Sequence, residues 1–179
     1  MSTLLDIIGA GLIAVIMLLQ LLTMNANLHE TDYSNTTALT TQTNTVVLAR
    51  MIEYDVLKMG YHTPKPSILT ATSDTLVFKA DLRNNGTVNT VKYYLGALAT
   101  STRNPYDRVI YRVVDGSSTM MTLGVTAFTM TYFNADGATT SVRDSIRSIN
   151  VKFTVKSTVP IDTTYSAAYW QKKLYPKNL

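Results

Sequence analysis

Residues 4–22 read LLDIIGAGLIAVIMLLQLL, an apolar run carrying a single charge, Asp6. As a helix rising ~1.5 Å per residue the run measures roughly 28 Å, close to the hydrocarbon thickness of a bilayer, so it is long enough to span one. An ionised carboxylate in hydrocarbon is costly, and an intramembrane acid therefore needs a partner. A secretory signal would carry a basic n-region and a small-residue cleavage site. Here no Lys or Arg occurs before Arg50 and the run passes into Met24-Asn25-Ala26-Asn27, where cleavage after Ala26 is the alternative. By the positive-inside rule the basic C-terminal part would stay cytoplasmic, although long domains cross largely regardless of their charge.

The chain has 179 residues, 46% of them hydrophobic, enough for one domain core plus one anchor. There is no cysteine, which excludes a disulfide framework and a thiolate metal site. The formal charge of +4 is unevenly spread: Asp6, Glu30 and Asp32 stand in the N-terminal part, and every base lies later.

After the apolar run comes HETDYSNTTALTTQTNT (29–45), polar and rich in β-branched threonine, which by propensity alone reads as a linker. NTVVLARMIEYDVLKMGY (44–61) behaves differently. Val47, Met51, Tyr54 and Lys58 fall on one helical stripe with Leu48, Ile52 and Asp55 beside it, and Gly60 is placed as a stop. This predicts an amphipathic helix over residues 46–59, with Val47, Met51 and Tyr54 packing on the rest of the fold. If the threonine stretch is helical too, one helix runs from about Leu4 to Met59, on the order of 80 Å. The expected division is an N-terminal helix over 1–60 and a head domain over 61–179.

Beyond His62, Pro64 and Pro66 break the helix and period-2 patterns take over. TLVFKAD alternates Leu76, Phe78 and Ala80 with Val77 and Lys79, and Arg83-Asn84-Asn85-Gly86 follows as a hairpin turn leading into TVKYYL. RVIYRVV and GVTAFTMTYF are further strands, the latter with Phe128, Met130 and Tyr132 on one face. In SINVKFTVK, Ile149, Val151, Phe153 and Val155 face one way and Ser148, Asn150, Lys152 and Thr154 the other. One-sided burial is the habit of an antiparallel sheet with a wet face, and its apolar face needs a cover. The 46–59 helix supplies one. The fold class predicted is α+β, a long N-terminal helix and an antiparallel head packed on that helix's C-terminal half.

The sequence offers little chemistry. His29 and His62 stand apart with no acid or cysteine at metal-ligand spacing. Gly9 and Gly11 lie in the apolar run, where small residues permit close helix packing, and not in a phosphate loop after a strand. DLRNNG has Arg83 where a calcium loop needs an oxygen, and it reads, like NADG (134–137), as a turn. Tyr165, Tyr169, Trp170 and Tyr175 interleave with Lys172, Lys173 and Lys177. Such a cluster can bind nucleic acid, but an aromatic final strand with a solvated basic edge is the expectation and nucleic acid is not an expected partner. No catalytic, cofactor-binding or metal residue is assigned, and no enzymatic activity is expected.

Taken in order, the apolar N-terminus with its early acid, VVLARMIEYDVLKMGY, TLVFKADLRNNGTVNTVKYYL, NPYDRVIYRVVDG, GVTAFTMTYFNADG, SIRSINVKFTV and the terminal PKNL resemble type IV pilin-like proteins, specifically W-type minor pilins and J-type pseudopilins. The likeness covers nearly the whole chain. It implies a structural subunit of a type IV pilus-like filament or fimbrium, or of a type II secretion pseudopilus. Such a subunit waits in the bacterial inner membrane with its head in the periplasm, and becomes extracellular if built into a pilus. Its partners would be other pilin-like subunits or its own copies, with an assembly ATPase and a platform protein. The same resemblance implies a minor or tip component ahead of a shaft subunit.

Members of that group place an acid, normally Glu, fifth from the mature N-terminus. Counting from Ser2, Asp6 holds that place; if a leader ends before Met1, Leu5 holds it instead. The resemblance then implies that Asp6 pairs in the filament with the α-amino group at Ser2 of a neighbour, fixing the axial step between helices, with Gly9 and Gly11 allowing tight lateral contact. The alternative is a monomeric membrane-tethered binding module, for which Thr31–Thr45 would be a flexible tether.

Overall fold

The computed structural model describes residues 2–179, Thr122 by its backbone only; what becomes of Met1 lies outside the described residues. Helix α1 runs Ser2–Leu57 and is followed by strands β1 (Ile68–Ala71), β2 (Thr75–Ala80), β3 (Asn89–Leu98), β4 (Arg108–Val114) and β5 (Ser117–Phe133). A 3-10 turn at Arg143–Ser145 precedes β6 (Ser148–Lys156) and β7 (Ala167–Leu174). The chain divides into two compact units between Thr37 and Ala38, inside α1. The fold is α+β: a long N-terminal helix, then an antiparallel sheet whose inner face is packed on the helix's C-terminal part.

The threonine-rich stretch is helical throughout. Each threonine hydroxyl brings a donor that can fold back onto the turn before it: Thr31 Oγ1 donates to the Asn27 carbonyl at 2.8 Å and Thr45 Oγ1 to that of Thr41 at 2.8 Å. These back-bonds keep the hydroxyls satisfied without leaving the helix. The helix ends where Gly60 takes φ +79°, a left-handed value that glycine reaches without steric cost. A Cβ there would also lie 2.5 Å from the Asn178 carbonyl oxygen, so the helix stop doubles as the seat of the C-terminal segment.

The sheet has seven strands in sequence order, β1 through β7, every neighbouring pair antiparallel. Local connections suffice for this topology, as short turns between alternating strands dictate. Strands β2 to β6 contain all the patterns read from the sequence; β1 and β7 form the two edges, and β5 begins earlier than its alternation suggested. β5 serves two partners: Ser117–Met121 pairs with β4, and Ala127–Phe133 pairs with β6. The register shifts near Gly124, whose φ is +80° and where a Cβ would collide with the Lys156 carbonyl at 2.1 Å.

The inner face of the sheet carries Leu76, Phe78, Val91, Tyr93, Ile110, Val125, Phe128, Met130, Ile149, Val151, Phe153 and Val155, all buried. Against it α1 lays Leu48, Ala49, Ile52 and Val56. The cover is therefore rotated from the stripe expected. Val47 is 45% and Tyr54 55% exposed; only Met51 of that trio packs on the core. Val47 and Leu48 are both apolar and one residue apart, so the sequence left two adjacent stripes nearly equal, and the polar group that had to face inward, Asp55, decided between them. Tyr54 still reaches the head through its hydroxyl, which donates to the Leu82 carbonyl at 3.2 Å.

The DLRNNG turn is wider than a two-residue hairpin. Ala80 pairs with Asn89, and the intervening loop closes around Asp81, which is fully buried and accepts the amide N–H groups of Asn85 at 3.2 Å and Gly86 at 2.8 Å. Burial works to raise the Asp81 pKa, yet the Gly86 and Asn85 amides, joined by His62 and the Asn84 amide, outweigh it and hold the carboxyl below its usual range. Amides aimed at the carboxylate mark it as the organiser of a turn. NADG is a turn as read: Gly137 N–H donates to the Asn134 carbonyl and Ala138 N–H to its side chain.

Candidate assembly site

The N-terminal unit consists of helix alone, and its apolar side chains are uncovered. Leu5, Ile7, Leu12, Ile16, Leu19 and Leu22 stand 53–72% exposed, and the most apolar part of α1 has nothing buried. By length and composition this helix can cross a membrane. Monomeric soluble proteins rarely leave apolar patches larger than a few hundred Å² in water, so a surface of this kind is made for lipid or for another protein.

Ser2 and Asp6 are exposed on this helix, one turn apart. Gly11 is exposed and Gly9 nearly so, and a Cβ added at either would meet nothing within 4 Å. Each glycine in a helix interior costs ~1 kcal/mol relative to alanine. Among the described residues nothing lies close enough to use the room they leave, so it is available to a neighbouring surface. Thus Ser2, Asp6, Gly9 and Gly11 share the first three turns, whereas Val47, Met51 and Tyr54 belong to the head unit.

Within the head, α1 is locked to the sheet by a buried ion pair that the sequence reading did not single out. Asp55 is 1% exposed. Arg112 of β4 grips it with both arms, Nε to Oδ2 at 2.6 Å and Nη2 to Oδ1 at 3.1 Å, and Tyr93 of β3 donates its hydroxyl to Oδ2 at 2.6 Å. Tyr93 and Arg112 are cross-strand neighbours, so the β3–β4 register aims both at the same carboxylate. Burial, followed by the Asp55 charge, pushes the Tyr93 phenol well above its ordinary pKa, while the hydrogen bonds Arg112 donates to Asp55 raise the pKa of its guanidinium. The signal in the sequence was an acid on the apolar stripe of a helix and an arginine inside an alternating strand. A second, more exposed tie joins Lys172 of β7 to Glu53.

His29 is exposed on α1, and His62 lies 3.6 Å from Asp81 at a loop surface. Among the described residues no three His, Cys, Asp or Glu side chains are grouped as a metal site would require. Asp107 is buried, and burial raises its pKa against the smaller lowering effects of the Thr102 hydroxyl and the Arg108 amide.

No protein-family model, no curated protein and no solved structure matches the chain. The architecture itself, one long apolar N-terminal helix followed by an antiparallel sheet, is pilin-like.

Proposed function

We propose that this chain is a structural subunit of a type IV pilus-like or type II secretion pseudopilus filament, held in the bacterial inner membrane by residues 4–22 before assembly and packed through the same helix afterwards. The observation that carries the reading is the uncovered apolar helix surface from Leu4 to Leu22, in a chain whose head unit has a buried core of its own. Moving such a surface from lipid to a neighbouring helix changes little hydrophobic energy, because lipid tails are as apolar as leucine. Selectivity must then come from close packing at Gly9 and Gly11 and from charge pairing at Asp6, with the work of extraction supplied by an assembly ATPase acting through a platform protein.

Pairing Asp6 with the α-amino group at Ser2 of a neighbour neutralises two charges that lipid disfavours singly. Such a pair sets register more than it adds stability, since desolvation offsets much of the Coulomb gain. The Asp6→Ala variant is expected to insert in membranes normally and to assemble poorly, read by fractionation and by filament yield. Normal yield from that variant would refute the pairing.

The tethered-module reading needs a flexible Thr31–Thr45 segment, and the helix running through it supports the filament instead. The minor or tip role rests on resemblance. If this chain supplies most of the mass of purified filaments, one copy at each helical step, that role is wrong while the pilin-like reading stands.

A further inference from the structure

Polar side chains are not scattered over the apolar helix. Positions 6, 9, 13, 16, 20, 23 and 27, spaced alternately three and four apart, make one heptad seam along α1. Between Leu4 and Leu28 there are five polar side chains, and four of them, Asp6, Gln20, Thr23 and Asn27, stand on that seam; Asn25 is the exception. Polar groups in membrane helices turn towards neighbouring protein and hydrogen-bond across to it, so the seam is the side of α1 that seeks a partner other than lipid.

The four groups differ in what they still need. Thr23 Oγ1 donates to the Leu19 carbonyl at 2.9 Å and is satisfied by its own helix. Asp6 is assigned to Ser2 of a neighbour. The exposed Gln20 and Asn27 amides make no hydrogen bond among the described residues. Seven residues separate them, which is about 20° around the helix and ~10.5 Å along it. Both line one hollow of about 530 Å³, with Ile16, Leu19 and Met24 beside them. A carboxamide carries donors and an acceptor together, so another carboxamide can satisfy it while a lipid tail cannot. A second copy brings that group on an identical seam.

We propose that Gln20 of one copy pairs with Asn27 of a second copy, whose α1 lies along this seam displaced by one heptad. The size of the step decides the pairing. A step of four residues, which sets Asp6 opposite Ser2, puts Gln20 opposite Ile16 or Met24, both apolar. No step at all pairs like with like and closes a two-fold dimer, whereas a fibre needs contacts that do not close. A step of seven sets amide against amide. The amide contact therefore involves a different neighbour from the Asp6 pair. It rests on the filament reading and gives the fibre a second register, one that carries no charge.

With no native cysteine to compete, the test is direct. Full-length chains carrying Gln20→Cys and others carrying Asn27→Cys are co-expressed in the assembling cell and treated with a short bis-maleimide. A control replaces Gln20→Cys by Leu18→Cys, which is 57% exposed and lies about 180° around the helix from Asn27. The expected result is a mixed 20–27 dimer that exceeds the 18–27 control and both the 20–20 and 27–27 dimers. In otherwise native chain, Gln20→Leu should enter membranes as well as the parent and yet lower filament yield about fivefold, and Gln20→Asn should recover most of it. Parent filaments together with an 18–27 yield equal to 20–27, a dominant 20–20 dimer, or normal yield from Gln20→Leu overturn the proposal and leave the filament reading standing. A parent chain that forms no filaments overturns both. Gln20→Cys adducts formed only with another protein species also overturn the proposal.

Discussion

Replacing Arg112 by methionine should destabilise the head by about 3 kcal/mol, because the methionine fills similar space while leaving Asp55 buried with a single partner, the Tyr93 hydroxyl. Breaking a buried pair by removing one member typically costs ~3–5 kcal/mol. The lower end applies, since the Arg112 side chain is 23% exposed and water entering from that side can reach the carboxylate. For a unit of this size the loss corresponds to a fall in Tm of about 10 °C. The single tryptophan, Trp170, packs on Phe153 across the β6–β7 pair and reports unfolding by fluorescence in detergent-solubilised full-length chain. The Asp55→Leu/Arg112→Met double variant removes both charges and should recover at least half of the loss, giving a coupling energy above ~1 kcal/mol. Arg112→Met within about 0.5 kcal/mol of the parent, the range of ordinary surface changes, would refute the clamp, as would strict additivity in the cycle.

The raised Tyr93 pKa makes folding tighten the phenol's hold on its proton, so its contribution is complete below the ordinary value of 10.0 and is lost as pH rises beyond it. Urea midpoints between pH 9 and 11 should therefore fall more steeply in the parent than in Tyr93→Phe. Gly60→Ala forces a Cβ onto the Asn178 carbonyl at a φ of +79° and should cost about 2 kcal/mol or more, with residues 175–179 becoming sensitive to carboxypeptidase. Asp107→Asn should raise stability at pH 7 by about 1 kcal/mol, because burial disfavours the charged carboxylate; the raised pKa places this gain above pH 3.8, so it should vanish in melts run below that value.

The sequence by itself determined the elements. Apolar continuity over residues 4–22, period-2 alternation in β2, β5 and β6, the left-handed stop at Gly60 and the NADG turn are all properties of neighbours along the chain. One-sided alternation also forced a cover for the sheet, and α1 was the one apolar helix at hand. Tertiary structure decided what depends on residues far apart. It chose the Leu48–Ile52 face over the Val47–Tyr54 face, because Asp55 had to reach Arg112 and Tyr93, 57 and 38 residues away. It held the end of the threonine stretch in helix by burying Thr41 and Thr45 and tying the Asn44 amide to the Leu123 carbonyl, 79 residues away, where propensity alone favoured a linker. It made β1 and β7 strands by pairing short or polar segments to a partner already in place.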